Sequence, residues 1–104
     1  GEQKEERIKK YNTTLWISLP DKPGKLGEIT TSLGSHKLNI SSVEMKEKTK
    51  DYINFRFNLI IRDLKNFTNF ISELKQKDIK FKIIRHEEKR NAFTQKIFKY
   101  FKKN

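Results

Sequence analysis

From Tyr11 to Leu19 the chain alternates, with Tyr11, Thr13, Leu15, Ile17 and Leu19 on one side and Asn12, Thr14, Trp16 and Ser18 on the other. A period of two carried by β-branched and aromatic residues predicts a half-buried strand. Pro20 to Gly24 interrupts it, and the period then lengthens: Leu26, Ile29, Leu33 and His36 share one helical stripe that ends near Lys37. Leu38 to Glu47 reads as a second strand whose apolar phase slips between Ile40 and Val43–Met45, which predicts a bulge near Ser41–Ser42. Polar Lys48–Asp51 makes a hairpin loop, and Tyr52–Ile61 is the clearest strand, with Ile53, Phe55, Phe57, Leu59 and Ile61 inward. Asp63 is a fitting N-cap for a helix carrying Leu64, Phe67, Phe70, Ile71 and Leu74 and ending at Asp78. Ile79, Phe81 and Ile83 then alternate with Lys80, Lys82 and Ile84 in a fourth strand. Beyond it Phe93, Ile97, Phe98 and Phe101 alternate helically with Lys96, Lys99, Lys102 and Lys103.

The order strand–helix–strand–strand–helix–strand predicts an α+β fold. Right-handed crossovers make it one four-stranded antiparallel sheet with both helices on one face, the ferredoxin-like arrangement. This domain spans residues 11–86, between a polar linker or tag remnant at 1–10 and a basic amphipathic tail at 87–104. Trp16, Tyr52, Arg56 and Ile60 fall on the face without helices.

Composition narrows the class. The chain has 104 residues, 34% hydrophobic and 36% charged, enough for one domain with a modest core. No apolar run approaches the ~18 residues of a spanning helix, and no apolar leader marks the N-terminus. Gly1 in place of an initiator Met suggests an excised fragment or a cleaved tag. Cys is absent, which excludes disulfides and thiolate metal ligands. With no export signal the expected compartment is the cytoplasm, and the three Asn-x-Ser/Thr triplets are read as chance. The net charge is +11, and residues 85–104 carry seven basic and two acidic side chains. Such a surplus fits RNA or acidic lipid, and fits equally a lysine-rich compositional bias.

The chemistry concentrates at one corner. Pro23 fixes φ and removes a donor, while Gly24 and Gly27 permit close approach to the backbone. The first helical turn leaves N–H groups unpaired, and these attract a carboxylate or other anion. The plainer reading is a turn that only joins strand to helix, capped by Asp21. Enzymatic signatures are lacking. His36 and His86 have no metal-ligand spacing, Ser72-Glu73-Leu74-Lys75 matches S-x-x-K without its companion motifs, and no phosphate-binding Gly loop occurs. Neither a cofactor nor a metal is expected, and the fragment is expected not to be an enzyme.

Strand–D-x-P-G-x-L-x-x-I–helix–N-I–strand resembles the ACT domain, through Asp21, Pro23, Gly24, Leu26, Ile29, Asn39 and Ile40. Where many relatives carry Gly just before the Asn-Ile strand, Lys37 stands here. Within the group the chain looks most like the extreme C-terminal domain of long Rel/Spo-type GTP pyrophosphokinases, the enzymes of (p)ppGpp metabolism. That resemblance implies a regulatory, non-catalytic module of the stringent response, relaying an amino-acid, ribosome or partner signal to other domains of the parent chain. The implied ligand is a small amino acid held by Asp21, Lys22, Pro23, Gly24, Lys25, Leu26, Gly27, Asn39 and Ile40, with Asp21 for the ammonium and Asn39 for either end. It also implies a homodimer through a sheet edge or helix, and contact with ribosomal RNA. The lysine-rich surface, with Lys96, Lys99, Lys102 and Lys103 in the tail, would meet its phosphates. Apart from the resemblance, Trp16, Tyr52 and Arg56 on the bare face offer stacking surfaces for unpaired RNA bases. The other reading of the bare face is packing on another domain of the parent or on a second copy. Competing readings are the ACT subunit of an amino-acid biosynthetic enzyme such as acetolactate synthase, and a free-standing RNA-binding module.

Overall fold

A computed structural model describes residues 10–89. In chain order the elements are β1 (Lys10–Pro20), α1 (Lys25–Ser35), β2 (Asn39–Lys48), β3 (Tyr52–Ile61), α2 (Leu64–Gln76) and β4 (Lys80–Lys89). The expected amphipathic helix of the tail, with Lys96, Lys99, Lys102 and Lys103, lies outside the described residues. The four strands form one antiparallel sheet in the order β2-β3-β1-β4, the ferredoxin-like arrangement.

Alternation decides which face is covered. Thr13, Leu15, Ile17 and Leu19 of β1 pair in register with Leu59, Phe57, Phe55 and Ile53 of β3. All but half-buried Ile53 are buried. Ile29 and Leu33 of α1 and Phe67, Phe70 and Leu74 of α2 close over them in one core. The Asp63 carboxylate caps α2, accepting from the Lys65 N–H at 3.0 Å. The slip in β2 is a register shift between Ile40 and Ser42, and a second shift falls between Met45 and Glu47.

Both helices end in the same way. Leu38 N–H donates to Leu33 O and Lys37 N–H to Gly34 O, each at 2.9 Å. Ile79 N–H donates to Leu74 O at 2.9 Å and Asp78 N–H to Lys75 O at 3.0 Å. These paired bonds satisfy the last carbonyls and require a left-handed residue. Lys37 (φ 60°) and Asp78 (φ 59°) take that conformation, so Lys37 performs the turn that relatives assign to Gly. A side chain there costs about 1 kcal/mol. Lys37→Gly is therefore expected to raise the thermal midpoint by a few degrees, and an unchanged or lower midpoint in a thermal melt would contradict the strain.

One feature of β4 departs from simple alternation. Ile83 stands opposite Leu15, but Arg85 stands opposite Thr14, so Ile84 is an extra, bulged residue. The bulge turns His86 onto the helix side, opposite Thr13. Thr13, only 1% exposed, has its Oγ1 2.7 Å from His86 Nδ1. The imidazole stacks between Tyr11 and Phe67, with ring centroids 5.2 Å and 5.9 Å away. A polar residue buried on the core side thus finds its partner.

Candidate functional site

The corner between β1 and α1 is built by backbone hydrogen bonds. Asp21 N–H donates to Asp51 O at 2.9 Å, tying the turn to the β2–β3 loop, and Lys22 N–H donates to Pro20 O at 2.8 Å. Gly24 is the helix N-cap at φ 86°, a left-handed value that explains glycine there, and no side chain caps the helix. Lys25 N–H reaches Lys22 O at 3.3 Å, and the first intrahelical bond runs from Glu28 N–H to Gly24 O at 2.9 Å. Between them, the Leu26 and Gly27 N–H groups have no partner among the described residues. A β-carbon placed on Gly27 would meet no atom of the chain within 4 Å. Two donors at the helix start are thus left without a partner among the described residues, the arrangement that anion capture uses.

Other expected members of this set lie differently. Asp21 does not cap the helix; its carboxylate lies 3.5 Å from Lys48 Nζ across the hairpin loop. Asn39 and Ile40 are at the opposite end of the sheet. Asn39 pairs with Ile60, which pairs with Asn12, whereas the corner starts after Pro20, paired with Tyr52. Eight residues of strand separate these levels, roughly 26 Å at ~3.3 Å per residue. In one chain, Asn39 cannot bond a small ligand held at Leu26 and Gly27. The relation was hidden in the sequence because it depends on the helix carrying the chain back along the full strand.

The open sheet face is likewise only partly assembled. Arg56 stands directly across from Trp16, but its Nη2 bonds Glu44 Oε1 at 3.0 Å. Tyr52 sits at the level of Pro20, four positions along the strand from Trp16. Thr14 Oγ1 donates to Asn58 Oδ1 at 2.8 Å, and Asn58 Nδ2 donates to Ser42 Oγ at 2.7 Å. On this β1–β3–β2 half of the face these side chains bond one another, while the buried Arg56 Nε has no partner among the described residues.

A second constellation joins the helices. Glu73 of α2 accepts from Ser32 Oγ of α1 at 2.8 Å and from Lys77 Nζ at 2.9 Å, and its Oε1 lies 2.8 Å from His36 Nε2. The bonds from His36, Lys77 and Ser32 outweigh desolvation and pull the carboxyl from 4.5 to about 2. Glu73 in turn raises the pKa of the Lys77 ammonium. An open groove of about 520 Å³ runs beside this cluster, lined by Gly27, Glu28, Thr31, Ser32, Ser35, Glu73 and Lys77. It begins at the glycine whose N–H is unpaired. Sequence reasoning missed Glu73 because two of its three partners, Ser32 and His36, are 41 and 37 positions away, on α1 and at its C-cap.

Comparison with known proteins decides the family. The ACT domain model matches residues 7–79. The chain belongs to the ACT domain family. ACT domains are regulatory and non-catalytic, and among the described residues no group of His, Cys, Asp or Glu could hold a metal ion. Solved structures agree on the fold of this ACT domain. A Bacteroides thetaiotaomicron protein is 25% identical, with TM-score 0.53, over 68% of this chain and 45% of its own length. The ACT domain from GTP pyrophosphokinase of Chlorobium tepidum is 15% identical, with TM-score 0.54, over 77% of this chain and 99% of its own. A homoserine dehydrogenase from Thiobacillus denitrificans is 20% identical, with TM-score 0.51, over 74% of this chain and 17% of its own. The chain thus spans less than half of the first of these relatives. A search of curated proteins returns no match. No helix among the described residues is long and apolar enough to cross a membrane.

Proposed function

We propose that this ACT domain binds a small α-amino acid at the β1–α1 corner and relays its presence to catalytic domains of a parent GTP pyrophosphokinase of the stringent response. The observation that carries the ligand reading is the pair of N–H groups, Leu26 and Gly27, that find no partner among the described residues, at the head of a groove lined by Gly27. A carboxylate accepts from both, and the groove beginning at Gly27 offers room and the carboxylates of Glu28 and Glu73 for the ammonium. The parent reading is supported by the D-x-P-G-x-L-x-x-I corner and by the likeness in fold to the Chlorobium tepidum domain. Ligand capture favours one arrangement of the domain on its neighbours, so its differential affinity for the two arrangements is the signal.

A second copy completes the site. The β2 edge has no neighbouring strand among the described residues. Two-fold antiparallel pairing about the middle of β2 sets Asn39 of one copy opposite Lys48 of the other, and Lys48 already contacts Asp21 at the corner. Asn39 then reaches the ligand from across the dimer.

Gly27→Leu tests the reading, because a β-carbon there meets no atom of the chain within 4 Å and the larger side chain occupies the head of the groove. The variant is expected to fold, with helix propensity improved by up to about 1 kcal/mol, and to lose amino-acid binding measured by calorimetry. Silence of the folded wild-type chain towards all common amino acids, or undiminished binding by Gly27→Leu, overturns the ligand site. Light scattering and Asn39→Ala test the second copy. A monomer with unaltered affinity after Asn39→Ala removes it.

A further inference from the structure

Strand β4 forms one border of the sheet, and no strand among the described residues pairs with its outer edge. Its open side carries three cations and, beyond them, Glu87 opposite Asn12. Phe81 and Ile83 pair with Ile17 and Leu15 on the helix side. Neither is fully covered: Phe81 is half-buried and Ile83 is 45% exposed. Lys80 and Lys82 pair with Ser18 and Trp16 on the open side. The bulge at Ile84 returns Arg85 to that side, opposite Thr14, in line with the two lysines. All three cations are exposed, and none takes part in an ion pair among the described residues. The other border contrasts with this, since Glu44 there holds both Arg56 and Lys46.

We propose that the β4 edge docks an extended polypeptide segment in which acidic and apolar residues alternate. Neighbouring strands share one axial spacing. Acids at every second position therefore stand beside Lys80 and Lys82, while the residues between them cover Phe81 and Ile83. Backbone bonds to the free edge supply affinity and the alternation supplies specificity. The cations also reject other occupants. Lysines on an edge block indiscriminate pairing, and a second β4 would set like charges face to face. Residues 90–104 of this chain contain Arg90, Lys96, Lys99, Lys102 and Lys103 and no acidic residue, so their composition is not that of the proposed occupant. A nucleic acid would meet the cations but leave the apolar side and the backbone edge unused. The charges that prevent self-association thus select an acidic partner.

The test uses the full chain and three labelled peptides: alternating Glu and Val, the same composition in two blocks, and alternating Lys and Val. Fluorescence anisotropy is expected to show binding of the first only, weakening as salt is raised. Lys80→Glu with Lys82→Glu should lower that affinity by about tenfold or more and create affinity for the Lys–Val peptide. Equal binding of the block and alternating peptides would reduce the site to bare charge and overturn the proposal. So would binding of an oligouridylate in place of the peptide, or no binding at all. If circular dichroism shows the double variant unfolded, the ranking of the three peptides on the unaltered chain decides alone. Lys80 also lines a cavity of about 350 Å³ with Pro20, Lys25 and Glu28 at the corner. The ranking of the three peptides on the unaltered chain makes no use of that corner, so it keeps the failure of the two readings separate.

Discussion

Replacing Phe70 by Ala is expected to remove about 3–5 kcal/mol of stability, the range for emptying a buried phenylalanine site. Phe70 is wholly buried in the middle of α2, and the His36 ring meets it edge-on at 5.8 Å between centroids. Truncation therefore opens a cavity under α2 and removes the apolar wall beside His36. Domains of this size hold only about 5–15 kcal/mol in total, so the variant should unfold at much lower urea with the slope of the transition preserved. Leu64→Ala in the same helix is the control. Leu64 is 41% exposed, and its truncation should cost about 1 kcal/mol or less. Similar losses for the two variants would mean that α2 does not present this face to the sheet.

The second large effect concerns pH. Glu73 has its carboxyl held at about 2 instead of 4.5 by His36, Lys77 and Ser32. A folded-state value below the unfolded one contributes stability that is complete above pH 4.5 and is lost as pH falls towards 2. Because the carboxylate is about a quarter exposed, solvent reduces the contribution to about 1–2 kcal/mol. Urea midpoints should therefore decline between pH 5 and pH 2 in the wild type, by more than in Glu73→Gln. At neutral pH that variant should already be destabilised by about the same 1–2 kcal/mol. An identical acid slope in both proteins would show that Glu73 does not tie the helices together.

Most of the fold was legible because its strands are half-buried. One face meets the helices and the other does not, so the pattern of two survives in Leu15-Trp16-Ile17-Ser18-Leu19 and in Ile53 to Ile61. The helices were legible through Ile29 and Leu33, and through Phe67, Phe70 and Leu74. The Ser41 bulge could be read because it shifts an apolar phase. The Ile84 bulge could not, since Ile83 and Ile84 are both apolar and the sequence carries no mark of which one is extra. That single residue decides that His86 faces Thr13 and that Arg85 joins Lys80 and Lys82.

Sequence alone determined the order of elements, the ACT family and the Pro23–Gly24 corner, because each depends on residues close together in the chain. Only the tertiary structure decided that Asn39 lies a strand's length from Leu26 and Gly27, that Asp21 answers Lys48, and that Glu73 collects Ser32, His36 and Lys77. Those relations depend on how far a helix returns the chain and on which side chains two packed helices present to each other. Local spacing carries no record of either distance.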